Sequence, residues 1–213
     1  KTSMAGASMR AGVRARGAGR GGGQSELAAE LGKDGVLRVR GGKGDNDLSV
    51  SKDASGNVVV KDGDQTLGTF AADQVKAVHV HGGRGADTIK VDVGDDIAVR
   101  VRGGRGGDDV EVDGGKDVFV RGGRGKDTLK AVGVTGGKVM GGRGDDDIDV
   151  SGDDNTVGGV LGDNSISVDG QGNTILTRNG NDTVVAPGDN TVKNVRQARD
   201  LCSELQGRTM IRG

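Results

Sequence analysis

Aliphatic and polar residues alternate in short bursts along most of this chain, as in Ile89-Lys-Val-Asp-Val, Val110-Glu-Val and Ile148-Asp-Val. Alternation of this kind puts branched side chains on one face of a strand and charge on the other. The bursts are short, and Gly-rich runs separate them. Their spacing is regular: Ile148, Val157, Ile166, Ile175 and Val184 recur every nine residues, and Asp146, Asn155, Asn164, Asn173 and Asp182 keep the same interval. Asp96 and Asp117 likewise lie nine residues after Asp87 and Asp108. Nine residues therefore predict half a coil, and 18–21 a full coil, of an all-β parallel solenoid. Each strand would pair with its equivalent in the coils above and below, and two parallel sheets would face each other across a thin core. Asn155, Asn164 and Asn173 are expected to stack as a polar ladder along one turn.

Composition sharpens this reading. Glycine supplies 44 of 213 residues, there is no Trp or Tyr, and Phe70 and Phe119 are the whole aromatic content. A fifth glycine with 29% charged residues would suit a disordered chain, but disorder gives no reason to hold aliphatics at nine-residue intervals. A thin core that admits only small branched side chains accounts for the missing aromatics, and Gly supplies the positive φ that tight stacked turns require. One Pro excludes collagen, one Cys excludes a disulfide framework, and no apolar run is long enough to span a membrane.

The turns carry a motif. Gly-Gly-Arg-Gly-Ala-Asp-Thr-Ile (82–89), Gly-Gly-Arg-Gly-Gly-Asp-Asp-Val (103–110), Gly-Gly-Arg-Gly-Lys-Asp-Thr-Leu (122–129) and Gly-Gly-Arg-Gly-Asp-Asp-Asp-Ile (141–148) align, and Gly-Gly-Lys-Gly-Asp-Asn-Asp-Leu (41–48) departs at Asn46. The pattern Gly-Gly-x-Gly-x-Asp-x-U-x, with U aliphatic, resembles the calcium-binding nonapeptide repeats of the RTX (hemolysin-type) family. The resemblance covers roughly residues 36–193. It implies a β-roll, with ligand carboxylates at Asp87, Asp108, Asp127 and Asp146. Turn carbonyls would come from 82–86, 103–107, 122–126 and 141–145, a set that includes Gly83, Gly85, Gly104, Gly106, Gly123, Gly125, Gly142 and Gly144. Such oxygens suit Ca²⁺, which takes six to eight of them. The motif occurs once per coil, so ions are expected along one edge; the turns at 94–97, 114–118, 135–139 and 152–157 lack it. The family further implies a secreted bacterial protein whose folding is coupled to Ca²⁺ and which is not an enzyme.

One feature departs from the family, whose turns are usually acidic. The third motif position is Lys43, Arg84, Arg105, Arg124 and Arg143, and a second basic column runs through Arg40, Arg102 and Arg121. Net charge is only −1. Two alternatives to calcium follow. Guanidinium groups stacked beside each Asp would replace the ion in an Arg–Asp ladder, giving a metal-free structural or interaction solenoid. Or the Arg columns, Arg84, Arg105, Arg124 and Arg143 among them, would present to a protein, nucleic acid or another polyanion. Arg-Gly-Gly-Arg-Gly strings resemble RNA-binding boxes, but the aromatics that stack on bases are missing. His79 and His81 share a strand face, with no third metal ligand near them in sequence. Cys202 reads as a packed thiol. Each Asp is accounted for by the repeat, which leaves no distinct carboxylate pair for glycoside cleavage.

The ends read differently from the repeat. Residues 1–24 form a basic Gly/Ala/Arg-rich tail, and 25–35 an N-terminal cap with a short helix from Ser25 to Leu31. Residues 36–193 form the roll, with an irregular insertion near 62–77. Residues 194–213 give a second cap, a helix from Asn194 through Gln206 with an apolar stripe at Val195, Ala198, Leu201 or Cys202, and Leu205.

Overall fold

A computed structural model describes residues 27–194, together with the backbone of 203–205 and 208–212. In chain order the first strands are β1 (Ala28–Leu31), β2 (Val36–Arg40), β3 (Asp47–Lys52), β4 (Val58–Asp62), β5 (Gln65–Phe70), β6 (Ala77–Arg84) and β7 (Thr88–Asp92). The middle of the chain supplies β8 (Ala98–Arg105), β9 (Asp109–Asp113), β10 (Lys116–Arg124), β11 (Thr128–Val132), β12 (Lys138–Arg143) and β13 (Asp147–Ser151). Then follow β14 (Thr156–Gly158), β15 (Ser165–Asp169), β16 (Thr174–Thr177), β17 (Thr183–Pro187), β18 (Thr191–Asn194), β19 (Ser203–Leu205) and β20 (Arg208–Arg212). The chain winds as a parallel β-solenoid of about six turns. One sheet runs β1-β2-β6-β8-β10-β12-β14-β16-β18 and the other β19-β20-β17-β15-β13-β11-β9-β7-β3-β4-β5.

Register is in phase from coil to coil. Val120, Val139, Val157, Ile175 and Val192 stack in one sheet. Leu48, Ile89, Val110, Leu129, Ile148, Ile166 and Val184 stack in the other. All but Val192 are buried, and the inward faces of the two sheets form a single core. Each fully buried Val, Ile or Leu contributes about 1.5–3 kcal/mol, so a coil such as that carrying Ile89, Val91, Val99 and Val101 is held chiefly by branched aliphatics. Neither Phe enters the fully buried core: Phe119 lies on the outer face under the Arg100 guanidinium, 5.6 Å from its ring centroid. The thin core expected from the composition is the one observed.

Two expectations need correction. Residues 28–31 form strand β1, antiparallel to β2, where a helix over 25–31 was expected. At the other end Asn194 closes β18, and 203–205 are strand, with β20 antiparallel to β17. The rest of the expected C-terminal helix, Cys202 included, and the tail at 1–24 lie outside the described residues. Helix propensity is a weak prior; an unpaired sheet edge offers a full row of backbone partners, and at Ala28–Leu31 and Ser203–Leu205 that pairing prevails. The stretch near 62–77 does interrupt the coil repeat but is largely strand: β4 and β5 make an antiparallel hairpin extending β3, with a register shift between Val60 and Lys61, and a 3₁₀ turn at Ala72–Gln74 leads into β6.

Candidate functional site: the motif edge and the basic sheet

Every motif turn leaves the nine-stranded sheet and enters the eleven-stranded one, so the turns stack along a single edge. Asp87, Asp108, Asp127 and Asp146 are brought together there as one column, each no more than 2% exposed. Their Oδ1 atoms form a ladder. Asp108 accepts from the Asp87 N–H at 3.0 Å, Asp127 from Asp108 at 2.9 Å, and Asp146 from Asp127 at 3.0 Å. The column extends both ways: Asn46 N–H donates to Asp87, Asp146 N–H to Asn164, and Asn164 N–H to Asp182. The Asn–Asp difference at Asn46 is therefore accommodated by a shared geometry.

The second carboxylate oxygen behaves differently. Oδ2 of Asp87, Asp108, Asp127 and Asp146 is buried and has no hydrogen-bond partner. Each carboxylate folds back against the first glycine of its own motif; a Cβ on Gly82, Gly103, Gly122 or Gly141 would collide with it. Burial pushes Asp108 and Asp146 up to about 6 and Asp127 to about 7, against the opposing pull of the backbone N–H each accepts, and it raises Asp87 as well.

The glycines at motif positions two and four have a distinct job. Gly83, Gly85, Gly104, Gly106, Gly123, Gly125, Gly142 and Gly144 all have φ between 120° and 138°. A Cβ at Gly104, Gly123 or Gly142 would overlap the carbonyl of the equivalent glycine one coil earlier. They allow the coils to approach. Several carbonyls expected as ion ligands are engaged in that approach: Arg105, Arg124 and Arg143 accept from Gly85, Gly106 and Gly125 at 2.8–2.9 Å, and Gly142 accepts from Leu161 at 3.0 Å. The unpartnered carboxylate atoms and the turn carbonyls on this edge are all oxygen, the donor type a hard cation takes, although among the described residues no three acidic, His or Cys side chains converge on one point.

The Arg–Asp ladder is not formed. Arg84, Arg105, Arg124 and Arg143 sit at the ends of β6, β8, β10 and β12, in register and exposed. Among the described residues none of them makes an ion pair; the pairs found are Arg38–Asp34 and Lys130–Glu111. The physical reason is directional: the third motif residue projects outward from the strand, while the sixth turns in under the first glycine. His79 and His81 do share a face, as their spacing predicts. Arg38 and Arg100 flank the first in register, and Arg40 and Arg102 the second. Burial and these guanidiniums hold both imidazoles below their usual range, a setting that opposes a second cation.

The expected Asn ladder is also redistributed. Asn155, Asn173 and Asn190 form a column on the opposite edge, where Asn155 accepts from Gly137 N–H, Asn173 from Asn155 and Asn190 from Asn173 at 2.8–2.9 Å. Asn164 belongs to the Asp column. A nine-residue step is half a coil, so residues nine apart alternate edges.

No family model matches this chain, and neither the curated proteins nor the solved structures yield a match. What is established is the fold: a parallel β-solenoid with a buried carboxylate column on one edge.

Proposed function

We propose that the motif edge is a cation-linked folding element of a secreted bacterial repeat module, one that takes Ca²⁺ and performs no catalysis. The observation that carries this reading is the set of four buried, unpartnered Oδ2 atoms in one column. Asp87, Asp108, Asp127 and Asp146 would hold the ion, with turn carbonyls completing the oxygen set. Ca²⁺, when bound, supplies the positive charge that these buried carboxylates otherwise lack. Ion affinity then adds to folding free energy, because the column exists only when coils are stacked.

A second reading is favoured by a specific observation. The ladder passes without interruption through Asn46 and Asn164, which carry no charge. On that reading the solenoid folds without metal as a structural scaffold. Denaturant titration at pH 8, after chelation and again in millimolar Ca²⁺, separates the two. The cation reading expects the midpoint to rise with Ca²⁺ by an amount following RT ln(1 + [Ca²⁺]/Kd), and expects Asp108→Asn/Asp127→Asn to abolish the rise. A chelated chain that is fully folded at pH 8 and indifferent to Ca²⁺ leaves the scaffold reading alone.

A further inference from the structure

The net charge of −1 conceals a strong asymmetry. The outer face of the eleven-stranded sheet exposes Asp92, Asp109, Asp113, Asp147 and Asp149, relieved by Lys90 and Lys130. The outer face of the nine-stranded sheet carries the Arg columns. There the chain forms an open groove of about 810 Å³ running along the solenoid axis. Arg40, His81, Arg102 and Arg121 make one wall, and Lys43, Arg84, Arg105 and Arg124 the other. Between them the floor is backbone, because the first two motif positions are glycine in every coil, Gly41 and Gly42 through Gly122 and Gly123. No acidic side chain lines it. Equivalent backbone positions in successive coils are about 4.8 Å apart, the spacing of adjacent strands.

We propose that this groove binds a linear polyphosphate, threaded along the glycine floor between the two cation rows. Three features favour that occupant. The floor has no side chains, so a thin unbranched chain reaches both walls at once. The opposed guanidiniums of Arg102 and Arg105, and of Arg121 and Arg124, offer paired hydrogen bonds to phosphate oxygens and are weakly hydrated, and Arg40, Lys43 and Arg84 extend the basic lining into the neighbouring coils. The groove lining holds no Phe, Tyr or Trp, the side chains that build the usual base-stacking platforms; its stacking surfaces are the His81 imidazole and the guanidinium planes, and recognition is chiefly by charge density, in which a polyphosphate exceeds a nucleic acid. The acidic face of a second copy is complementary in charge but presents a broad sheet to a narrow channel.

The test uses the full chain and a long-chain linear polyphosphate, with binding followed by calorimetry over a salt series. The affinity is expected to fall linearly in log–log form as salt rises, because bound counterions are released. Arg84→Ala/Arg105→Ala/Arg124→Ala is expected to weaken binding at least about tenfold near 100 mM salt. It should also flatten the slope by about 0.7 for each phosphate no longer neutralised, as for a single-stranded polyanion. These side chains are exposed and unpaired, so the variant should keep its circular dichroism, and the matching Arg→Lys set, which keeps the charge but loses the paired hydrogen bonds, should fall between the two in affinity with an unchanged salt slope. In the unmodified protein the chain's two histidines offer a direct readout: the imidazole resonance of His81 should shift on binding. Lys90→Ala/Lys130→Ala, on the other sheet, should change nothing. Absent binding, an undiminished triple variant, tighter binding of single-stranded DNA of equal charge, or self-association that polyphosphate does not disperse would each overturn the proposal. The series is run on chain whose circular dichroism shows it folded, once after chelation and once at buffered free Ca²⁺: loss of fold on chelation bears on the cation reading, whereas absent binding by the folded chain overturns this proposal alone.

Discussion

The two edges of the solenoid solve one problem with different side chains. On the asparagine edge Oδ1 of Asn155, Asn173 and Asn190 accepts a backbone N–H from the preceding coil, while Nδ2 donates to the carbonyls of Val134, Gly152 and Gly170 at 2.7–3.1 Å. On the motif edge Asp87, Asp108, Asp127 and Asp146 make the same Oδ1 hydrogen bond but leave Oδ2 buried and unpaired. An amide satisfies the ladder completely. A carboxylate satisfies half of it and adds a charge whose desolvation is uncompensated. The carboxylate is thus unnecessary for stacking; its presence in four successive coils is what the cation reading accounts for and the scaffold reading does not.

The comparison can be broken most severely through glycine. Gly123→Ala puts a methyl group into the Gly104 carbonyl at φ 138°, and the expected loss is about 3 kcal/mol or more. Gly136→Ala on the other edge has positive φ but open space around it, and should cost about 1 kcal/mol. Denaturant midpoints of the two variants give the contrast directly. Next in size is Asn173→Asp. It removes the Nδ2 hydrogen bond to Gly152 and buries a charge, at an expected cost of about 2–4 kcal/mol at pH 8; no gain from Ca²⁺ is expected there, because the motif is absent.

The reciprocal change, Asp127→Asn, should stabilise the chelated protein at pH 8 by about 1–2 kcal/mol. The sign follows from protonation. In the folded chain these carboxyls titrate at about 6 to 7, above their unfolded value near 4, so the fold binds their protons more tightly. Their contribution is greatest below about pH 4 and is lost as pH rises through 6 to 7. Metal-free thermal unfolding should therefore show a midpoint that declines across that window, and a shallower decline in Asp127→Asn. A flat profile would mean that the motif edge is solvated like an ordinary surface.

Much of this was legible in the sequence because the fold repeats. The aliphatic period at Ile148, Val157 and Ile166 specifies strands, their alternation assigns the inward face, and the glycine motif marks the turns of one edge. What escaped was geometry that one coil's sequence does not encode. Asn155 and Asn164 look equivalent at nine-residue spacing, yet half a coil places them on opposite edges. Arg124 and Asp127 look like partners at three residues' distance, yet one projects from a strand end while the other tucks beneath Gly122. The ends escaped for a different reason: Ala28–Leu31 has helical composition, and only the assembled sheet offers it a better alternative. The charge asymmetry of the two sheets was present in the alternation, hidden by a net charge that sums over both.

The distances along the chain between successive rungs of the Asp column are 41, 21, 19, 19, 18 and 18 residues. The hydrogen bonds nevertheless stay within 2.9–3.0 Å throughout. The first interval absorbs the whole β4–β5 hairpin without disturbing its rung. Spatial pitch is thus decoupled from chain length, and the molecule has a ruler on one side and slack on the other. New sequence spliced at Gly133, where the surroundings are open, would enlarge a coil and leave the ruler's graduations unchanged, which makes the opposite turns natural ports for added loops.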